Sequence, residues 1–146
     1  DVGAGMGFWR DWYRANHPGV KVCSIDISPY ACATWGHERR DISEWRPPRQ
    51  YDLVVCHSVL QYIDDDGVVS AIDHLAAATG QLLYLELPTR HDFRHIVDPT
   101  GTDLAVHHRT GAWYRRYLQV HFRQVGAGLW TPRTGVPMYE LEAAGR

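Results

Sequence analysis

The chain has 146 residues, enough for one domain with a single hydrophobic core. Its net charge is −2, and 45% of its residues are hydrophobic, as in ordinary globular proteins. This charge gives no electrostatic reason to expect a nucleic-acid partner, and no apolar run approaches the roughly 20 residues that span a membrane. We therefore predict a single domain over residues 1–146 with neither nucleic acid nor membrane as a partner.

The three cysteines, Cys23, Cys32 and Cys56, are widely spaced and form no C-x-x-C pair. This pattern disfavours a disulfide framework and a zinc site, and it is typical of a reducing compartment, so we expect a cytoplasmic protein. Cys23 and Cys56 lie in apolar runs, where a free cysteine is usually a core residue. Since the chain also lacks an H-E-x-x-H motif, we predict no bound metal.

The first half of the chain alternates helices and strands. It opens on Asp1 within a glycine-rich motif, so we expect a first strand to precede Asp1 and the domain to be N-terminally incomplete. Ser28 and Pro29 make a favourable helix start, as N-cap and first helical residue. The elements predicted here are a helix over 7–16, a strand over 21–26, a helix from 29 to near 36 and a short strand over 39–42.

The second half continues the alternation. Residues 51–57 form a continuous apolar run, as expected of a parallel strand buried on both faces. Apolar spacing predicts helices over 66–79 and 110–122, the second one capped by Thr110. Strands are predicted over 81–87, 125–130 and 136–142, the last two as an antiparallel pair.

The order of these elements predicts an α/β fold, a Rossmann-like doubly wound sheet that is mostly parallel with an antiparallel C-terminal strand. Ligands of such sheets bind at the carboxyl ends of the strands. Gly3, Gly5 and Gly7 lie there, and closely spaced glycines let the backbone approach a ligand. Asp26 ends the next strand, where a carboxylate can accept hydrogen bonds from ribose hydroxyls. The glycines and Asp26 together favour a nucleoside-containing cofactor.

The ordered series DVGAGMG, SIDIS, RRDI and YDLVVCHSVLQYIDD resembles the motifs of class I S-adenosylmethionine-dependent methyltransferases. The likeness covers nearly the whole chain. It implies S-adenosyl-L-methionine as the cofactor and S-adenosyl-L-homocysteine as the product. By this resemblance Asp26 binds the ribose, and Asp41 and Ile42 meet the adenine. The full set of implied cofactor-binding residues is Asp1, Gly3, Ala4, Gly5, Asp26, Ile27, Asp41, Ile42, Cys56 and His57.

The acceptor is less well defined by the sequence. Residues 57–60 read His-Ser-Val-Leu, which differs from the N/D-P-P-Y sequence of many relatives that methylate nucleic acids or protein amides. In this segment the chain looks more like enzymes that modify small metabolites, so the resemblance implies a small-molecule substrate. The oligomeric state is not indicated.

Two histidines are candidate catalytic bases, because an acceptor hydroxyl or acidic carbon must lose a proton during methyl transfer. His57 follows the strand over 51–57, and His91 follows the strand over 81–87. His57 has an alternative role in which only its backbone meets the cofactor. Arginines near His91 would suit a carboxylate or phosphate substrate, although a solvated polar loop is the alternative. The predicted substrate-binding residues are Tyr62, His91, Arg94 and Tyr114, with Arg90 and Arg109 as further candidate arginines.

Two other functions compete with methyl transfer. An NAD(P)-dependent oxidoreductase has a similar sheet, but Phe8 replaces the third glycine of the dinucleotide fingerprint, and the only lysine is Lys21. A non-catalytic methyltransferase-like domain that binds a partner protein is disfavoured by the presence of Asp26 and Asp41. Methyl transfer is the leading hypothesis.

Overall fold

The computed structural model describes residues 1–144. The helices are α1 (Phe8–Asn16), α2 (Pro29–Trp35), α3 (Asp65–Ala78), α4 (Arg90–His95) and α5 (Gly111–His121), with a 3-10 turn at Leu60–Tyr62. The strands are β1 (Ile25–Asp26), β2 (Glu38–Arg39), β3 (Tyr51–His57), β4 (Thr79–Glu86), β5 (Phe122–Gly126) and β6 (Leu129–Pro132).

The strands form one sheet whose two parts meet at Val2. Strands β3, β4, β6 and β5 are hydrogen-bonded in that order, and β1 pairs in parallel with β2. Val2 makes parallel bridges to Ile25 and to Cys56, which places it between β1 and β3. Strands β3 and β4 are parallel, whereas β6 is antiparallel to both of its neighbours. The predicted mostly parallel sheet with an antiparallel C-terminal strand is confirmed, while the expected strand before Asp1 stays a prediction.

The helix α3 packs its apolar stripe against the sheet. Val68, Ile72 and Leu75 recur at helical spacing, and all three are buried. The carboxylate of Asp64 caps the first turn by accepting a hydrogen bond from Gly67 N at 2.8 Å. The position of α3 is therefore determined by both its cap and its buried face.

The two faces of β4 differ in burial. Leu83 and Leu85 point into the core under α3 and α5, whereas Leu82 and Tyr84 are partly exposed on the opposite face. The ring of Trp9, from α1, lies 5.5 Å from that of Tyr84 between centroids. The core of the described chain thus lies mainly on one side of this strand.

The C-terminal antiparallel hairpin is formed by other residues than predicted. The strands are Phe122–Gly126 and Leu129–Pro132, joined at Ala127 and Gly128, which have φ angles of 48° and 78°. Such a two-residue turn matches the twist of the strands, but it needs left-handed backbone that alanine seldom adopts. The proline and glycine of residues 131–135 gave a stronger turn signal, so the prediction placed the turn there. Residues 136–142 do not form the predicted strand.

Two further predictions differ from the structure. The strand predicted over 21–26 is regular only at Ile25–Asp26, and the aperiodic stretch 89–109 contains the helix α4. A capping box between Thr89 and Asp92 starts α4. The T-x-x-D spacing of these residues is itself a local signal for a helix start.

Truncation of the two neighbouring leucines of β4 should have very different effects. Leu83 is 0% exposed and Leu82 is 36% exposed. Leu83→Ala should lower the free energy of unfolding by about 2–5 kcal/mol, because it leaves a cavity in the core. Leu82→Ala, the matched control, should cost about 1 kcal/mol or less. Urea unfolding followed by tryptophan fluorescence would measure both, and equal losses would contradict the assigned faces.

Candidate functional site

The glycine loop, residues 3–7, turns the chain sharply from Val2 into α1. Gly3, Gly5 and Gly7 have φ angles of 64°, 52° and 79°, a left-handed conformation that side chains disfavour. At Gly3 a side chain is excluded for a second reason, because a Cβ there would lie 2.2 Å from Val59 Cγ2. The loop therefore presents bare backbone at the carboxyl edge of the sheet.

Asp26 lies beside this loop, as the sequence predicted. Its Oδ2 accepts a hydrogen bond from Gly5 N and its Oδ1 accepts one from Ser28 N, both at 2.8 Å. A carboxylate oxygen has two lone-pair positions, so each oxygen keeps the capacity to accept a ligand hydroxyl. Ile27, the next residue, is exposed. The structure thus brings the glycines and the acid together into one candidate cofactor site.

Asp1 contributes a buried carboxylate oxygen to the same region. Its main-chain oxygen accepts a hydrogen bond from Ile25 N at 2.9 Å, which fixes the residue at the start of the loop. Among the described residues its Oδ2 is buried without a hydrogen-bond partner. Buried polar atoms are nearly always satisfied in folded proteins. An ammonium group of a bound ligand would satisfy this one.

Asp41 and Ile42 follow β2 at the next position along the edge. Asp41 Oδ1 accepts hydrogen bonds from Ser43 N at 2.8 Å and from Ser43 Oγ at 2.7 Å, which stabilises the turn. The side chain of Ile42 is buried in the core. Its carbonyl oxygen accepts a hydrogen bond from His74 Nδ1 at 2.7 Å, so the N–H is the group of Ile42 that remains for a ligand.

Cys56 and His57 end β3 on the other side of the loop. The Cys56 side chain is completely buried, and burial raises the pKa of its thiol to about 12, so it is a neutral core residue. His57 is exposed, and its ring is nearly parallel to that of Tyr84, with centroids 6.5 Å apart. Cys56 as a whole is enclosed between its neighbours, so of these two residues only His57 is exposed to a ligand.

The residues that form this site also identify the protein family. A family model described as a methyltransferase domain matches residues 1–82, which include the glycine loop, Asp26, Asp41 and β3. The chain belongs to this methyltransferase domain family. The resemblance stated from the sequence motifs is thereby confirmed. A comparison with curated proteins finds no match.

Solved structures share the fold of this methyltransferase domain. An S-adenosylmethionine-dependent methyltransferase from Mesorhizobium loti has a TM-score of 0.67 at 20% identity, covering 84% of this chain and 72% of that one. The N-methyltransferase NodS from Bradyrhizobium japonicum, in complex with S-adenosyl-L-homocysteine, has a TM-score of 0.60 at 16% identity, with coverages of 90% and 76%. The [4+2]-cyclase SpnF has a TM-score of 0.64 at 12% identity, with coverages of 86% and 52%. At these identities the likeness concerns the fold alone.

The segment after β3 contains residues that the sequence analysis did not single out as site residues. Ser58 has a φ of 56°, and non-glycine residues in this region are concentrated at functional sites. Val59 is the residue that closes on Gly3. Gln61 is buried, and its Oε1 has no hydrogen-bond partner among the described residues. Backbone strain and side-chain satisfaction are tertiary properties, so sequence pattern alone does not indicate them.

Arg109 is a structural residue of the methyltransferase domain, contrary to its prediction as an anion-binding arginine. Its guanidinium is buried and donates hydrogen bonds to Asp65 Oδ1 at 2.7 Å, Leu60 O at 3.1 Å and Ile63 O at 2.6 Å. It also donates to the hydroxyl of Tyr114 at 3.2 Å. With its donors used in this way, Arg109 fixes the segment after β3 and does not face a substrate.

Tyr114 is likewise placed in the core, which corrects its prediction as a substrate-binding residue. It is 4% exposed and packs in the main hydrophobic cluster. The spacing of aromatic residues on α5 did not reveal which face was buried. Tyr62, by contrast, is 51% exposed at the end of the 3-10 turn. Partial desolvation of its hydroxyl, together with the nearby Asp103 carboxylate, raises its pKa.

His91 and Arg94 lie together on α4, at a small pocket of about 200 Å³. The His91 and His95 rings are 4.6 Å apart between centroids. The guanidinium of Arg90 donates hydrogen bonds from Nε and Nη2 to His108 O, at 3.1 and 3.0 Å. The complete lining, which includes none of the glycine-loop residues, is Thr89, Arg90, His91, Arg94, His95, Thr110 and Gly111.

A cavity of about 630 Å³ lies away from the glycine loop. It runs beside Val2 between residues 19–25 and 45–55, toward the amino ends of the strands. The glycines of the loop and Asp26 do not line it, whereas Asp1, at the start of the loop, does. Ligands of this class of sheet bind at the carboxyl ends, so the geometry of the loop outweighs cavity size here.

The part of the chain that the structure describes contains neither a metal cluster nor a membrane-spanning helix. Within residues 1–144, no three histidine, cysteine, aspartate or glutamate side chains are grouped as a metal site requires. No helix in that part of the chain is long and apolar enough to cross a membrane.

Alanine at two positions of the loop should separate backbone strain from steric exclusion. Gly3→Ala and Gly5→Ala both place a Cβ on left-handed backbone, which should lower the free energy of unfolding by about 1–2 kcal/mol each. Only Gly3→Ala meets Val59, since the space around Gly5 is open to 4.0 Å. We expect Gly3→Ala to lower the thermal midpoint more than Gly5→Ala. Val59→Ala should restore part of that difference in the double variant, and no recovery would contradict the close approach.

Proposed function

We propose that this methyltransferase domain transfers a methyl group from S-adenosyl-L-methionine to a small anionic molecule. The observation that carries the cofactor part is the 2.8 Å hydrogen bond from Gly5 N to Asp26 Oδ2. It holds a carboxylate directly against a loop in which every second residue is glycine, which suits a ribose and its neighbouring groups. The complex of NodS with S-adenosyl-L-homocysteine supports the same use of the fold.

Each end of the cofactor has a suitable partner in the chain. Asp26 would accept hydrogen bonds from the ribose hydroxyls, and the backbone of Ile42 with Asp41 would border the adenine. Asp1 Oδ2, buried and without a partner among the described residues, would accept hydrogen bonds from the ammonium of the methionine moiety. The site thus offers one carboxylate that would accept from the hydroxyls, one that would accept from the ammonium, and a glycine-rich backbone between them.

When bound, the cofactor supplies a methyl group on a sulfonium, and an in-line displacement transfers that group to the acceptor. The protein's main contribution is to align the two molecules. His57 is our candidate for taking the proton that a hydroxyl or acidic carbon loses, because its exposed imidazole stands at the carboxyl end of β3 beside the loop. His91 remains a second candidate, on the α4 pocket.

Binding of S-adenosyl-L-homocysteine tests the cofactor site. Asp26→Ala should weaken binding tenfold or more, because a charge-assisted hydrogen bond contributes about 1.5–3 kcal/mol. Asp52→Ala is the matched control, since this exposed carboxylate lies near the amino end of β3. Isothermal titration calorimetry measures both affinities, and thermal unfolding verifies that each variant is folded. A folded wild-type protein that binds no S-adenosyl-L-homocysteine would falsify the proposal.

The anionic class of the acceptor is inferred from the α4 pocket. Arg94 and His91 line it, and the amino end of α5 opens onto it at Thr110 and Gly111. Positive side chains and the positive end of a helix dipole both favour a carboxylate or phosphate. The segment after β3 connects this pocket to the glycine loop, because Arg109 holds it beside α5.

Loss of the Arg94 charge should affect the acceptor and leave the cofactor unaffected. Arg94→Gln should raise KM about tenfold for anionic acceptors, the effect of one lost charge-assisted contact. The affinity for S-adenosyl-L-homocysteine should not change. Arg133→Gln is the control, since this exposed arginine donates to Gln119 O and does not line the pocket. Transfer of labelled methyl groups to carboxylates, phosphates and neutral analogues provides the measurement, and unchanged KM values for every acceptor would contradict an anionic substrate.

A non-catalytic binding domain is the second candidate. SpnF is a cyclase on this fold, which illustrates that fold does not determine reaction. Tight binding of S-adenosyl-L-homocysteine without methyl transfer to any acceptor tested would favour it.

A further inference from the structure

A buried polar cluster lies directly beneath the glycine loop and has no part in the function proposed above. It consists of His37, Arg10 and Ser24, which are 7%, 5% and 7% exposed. His37 Nε2 is 3.0 Å from Gly5 O. Its Nδ1 is 2.8 Å from Ser24 Oγ and 3.2 Å from Arg10 Nη1. A buried imidazole with a partner at each nitrogen is a specific arrangement, and it touches the loop itself.

The partners determine which nitrogen of His37 carries the hydrogen. A guanidinium can only donate, so Nδ1 must accept from Arg10. A carbonyl oxygen can only accept, so Nε2 must donate its hydrogen to Gly5 O. The cluster therefore selects a neutral imidazole with the hydrogen on Nε2. Arg10 is itself fixed by donating to Trp35 O and to Asp11 Oδ1.

His37 and Asp26 hold the two polar groups of Gly5 from separate parts of the chain. The N–H of Gly5 donates to Asp26 Oδ2, and its C=O accepts from His37 Nε2. The local sequence makes this possible. Gly36 ends α2 in a left-handed conformation, with φ of 72°, and directs His37 back under the loop. At Gly7 a Cβ would lie only 2.8 Å from Arg10 Nη2, so the loop needs glycine there to lie on the cluster.

We propose that His37 is a positioning residue for cofactor binding, acting through the Gly5 peptide, with Arg10 fixing its tautomer and Ser24 providing a second contact at Nδ1. This inference rests on the proposed function and deepens it. His37 makes no contact with the cofactor. It holds Gly5 in the left-handed conformation that aims its N–H at Asp26, so the loop is already formed before the cofactor binds. A loop ordered in advance loses less conformational entropy on binding, which raises affinity.

Two substitutions of His37 separate this role from simple packing. His37→Gln retains an N–H that can reach Gly5 O, whereas His37→Leu retains bulk without any donor. His37→Leu should weaken binding of S-adenosyl-L-homocysteine about two- to tenfold, the range for one neutral hydrogen bond. His37→Gln should recover most of that loss. The control is His121→Leu, which removes a histidine hydrogen bond to Asp73 far along the chain and should leave affinity unchanged.

A double-variant cycle tests whether His37 acts through Gly5. If it does, His37→Leu should weaken binding much less when Asp26 is already alanine than in the wild-type protein. In an Asp41→Ala background the effect of His37→Leu should be undiminished, because Asp41 bonds Ser43 and not the loop. Additive effects with Asp26→Ala, or equal affinities for the Gln and Leu variants, would overturn the proposal.

Measurements on the ligand-free protein distinguish failure of this inference from failure of the proposed function. Nitrogen-15 NMR should show His37 with its hydrogen on Nε2, and amide hydrogen exchange at Gly5 should be slow in wild type and at least tenfold faster in His37→Leu. The other tautomer, or exchange unaffected by the substitution, would overturn the role of His37. A protected loop in a protein that binds no S-adenosyl-L-homocysteine would instead overturn the cofactor assignment and with it the role in cofactor binding.

Discussion

The backbone of residues 1–4 joins the two parts of the sheet, and the candidate site depends on this junction. Val2 N donates to Val55 O at 2.8 Å on one side, while Ala4 N donates to Ile25 O at 3.0 Å on the other. These hydrogen bonds bring the ends of β1 and β3 to the same loop. Because Asp26 ends one strand and His57 ends the other, their placement around the loop is a consequence of main-chain pairing. The side chains at the site add specificity to a position that the backbone has already determined.

Ala4 is the one buried side chain of the loop, so neighbouring elements must stabilise the loop's left-handed conformation. Asp26 holds the Gly5 N–H, His37 faces the Gly5 carbonyl, and Val59 fills the space that a side chain of Gly3 would take. These three contacts come from β1, from the turn after α2 and from the segment after β3. Glycine adopts left-handed backbone without strain, so what these contacts supply is one fixed conformation among the many open to it. Contacts of this kind reduce the conformational freedom that the loop would otherwise lose when a ligand binds.

Local signals in the sequence predicted much of the fold, and the errors have non-local causes. The apolar run of β3 and the caps at Ser28 and Thr110 were confirmed because each depends on neighbouring residues alone. The family and its cofactor followed from motif order. Arg109 was wrongly predicted to bind an anion, because its burial depends on carbonyls 46 and 49 residues away along the chain. The hairpin was wrong because its turn places Ala127 in an unusual conformation that the paired strands impose. His37 was missed for the same reason as Arg109: its partners are Gly5, Arg10 and Ser24.

The segment after β3 is the physical link between the cofactor loop and the α4 pocket. At its start Ser58 is in a left-handed conformation and Val59 lies against Gly3. Further along, Arg109 binds the carbonyls of Leu60 and Ile63 and leads directly into Thr110, the cap of α5 that lines the pocket. Since the pocket and the loop share no lining residue, their relative position depends on this buried arginine. On the proposed function, Arg109 would therefore help to align a substrate that it does not contact, because in-line transfer depends on the angle at which the two sites meet.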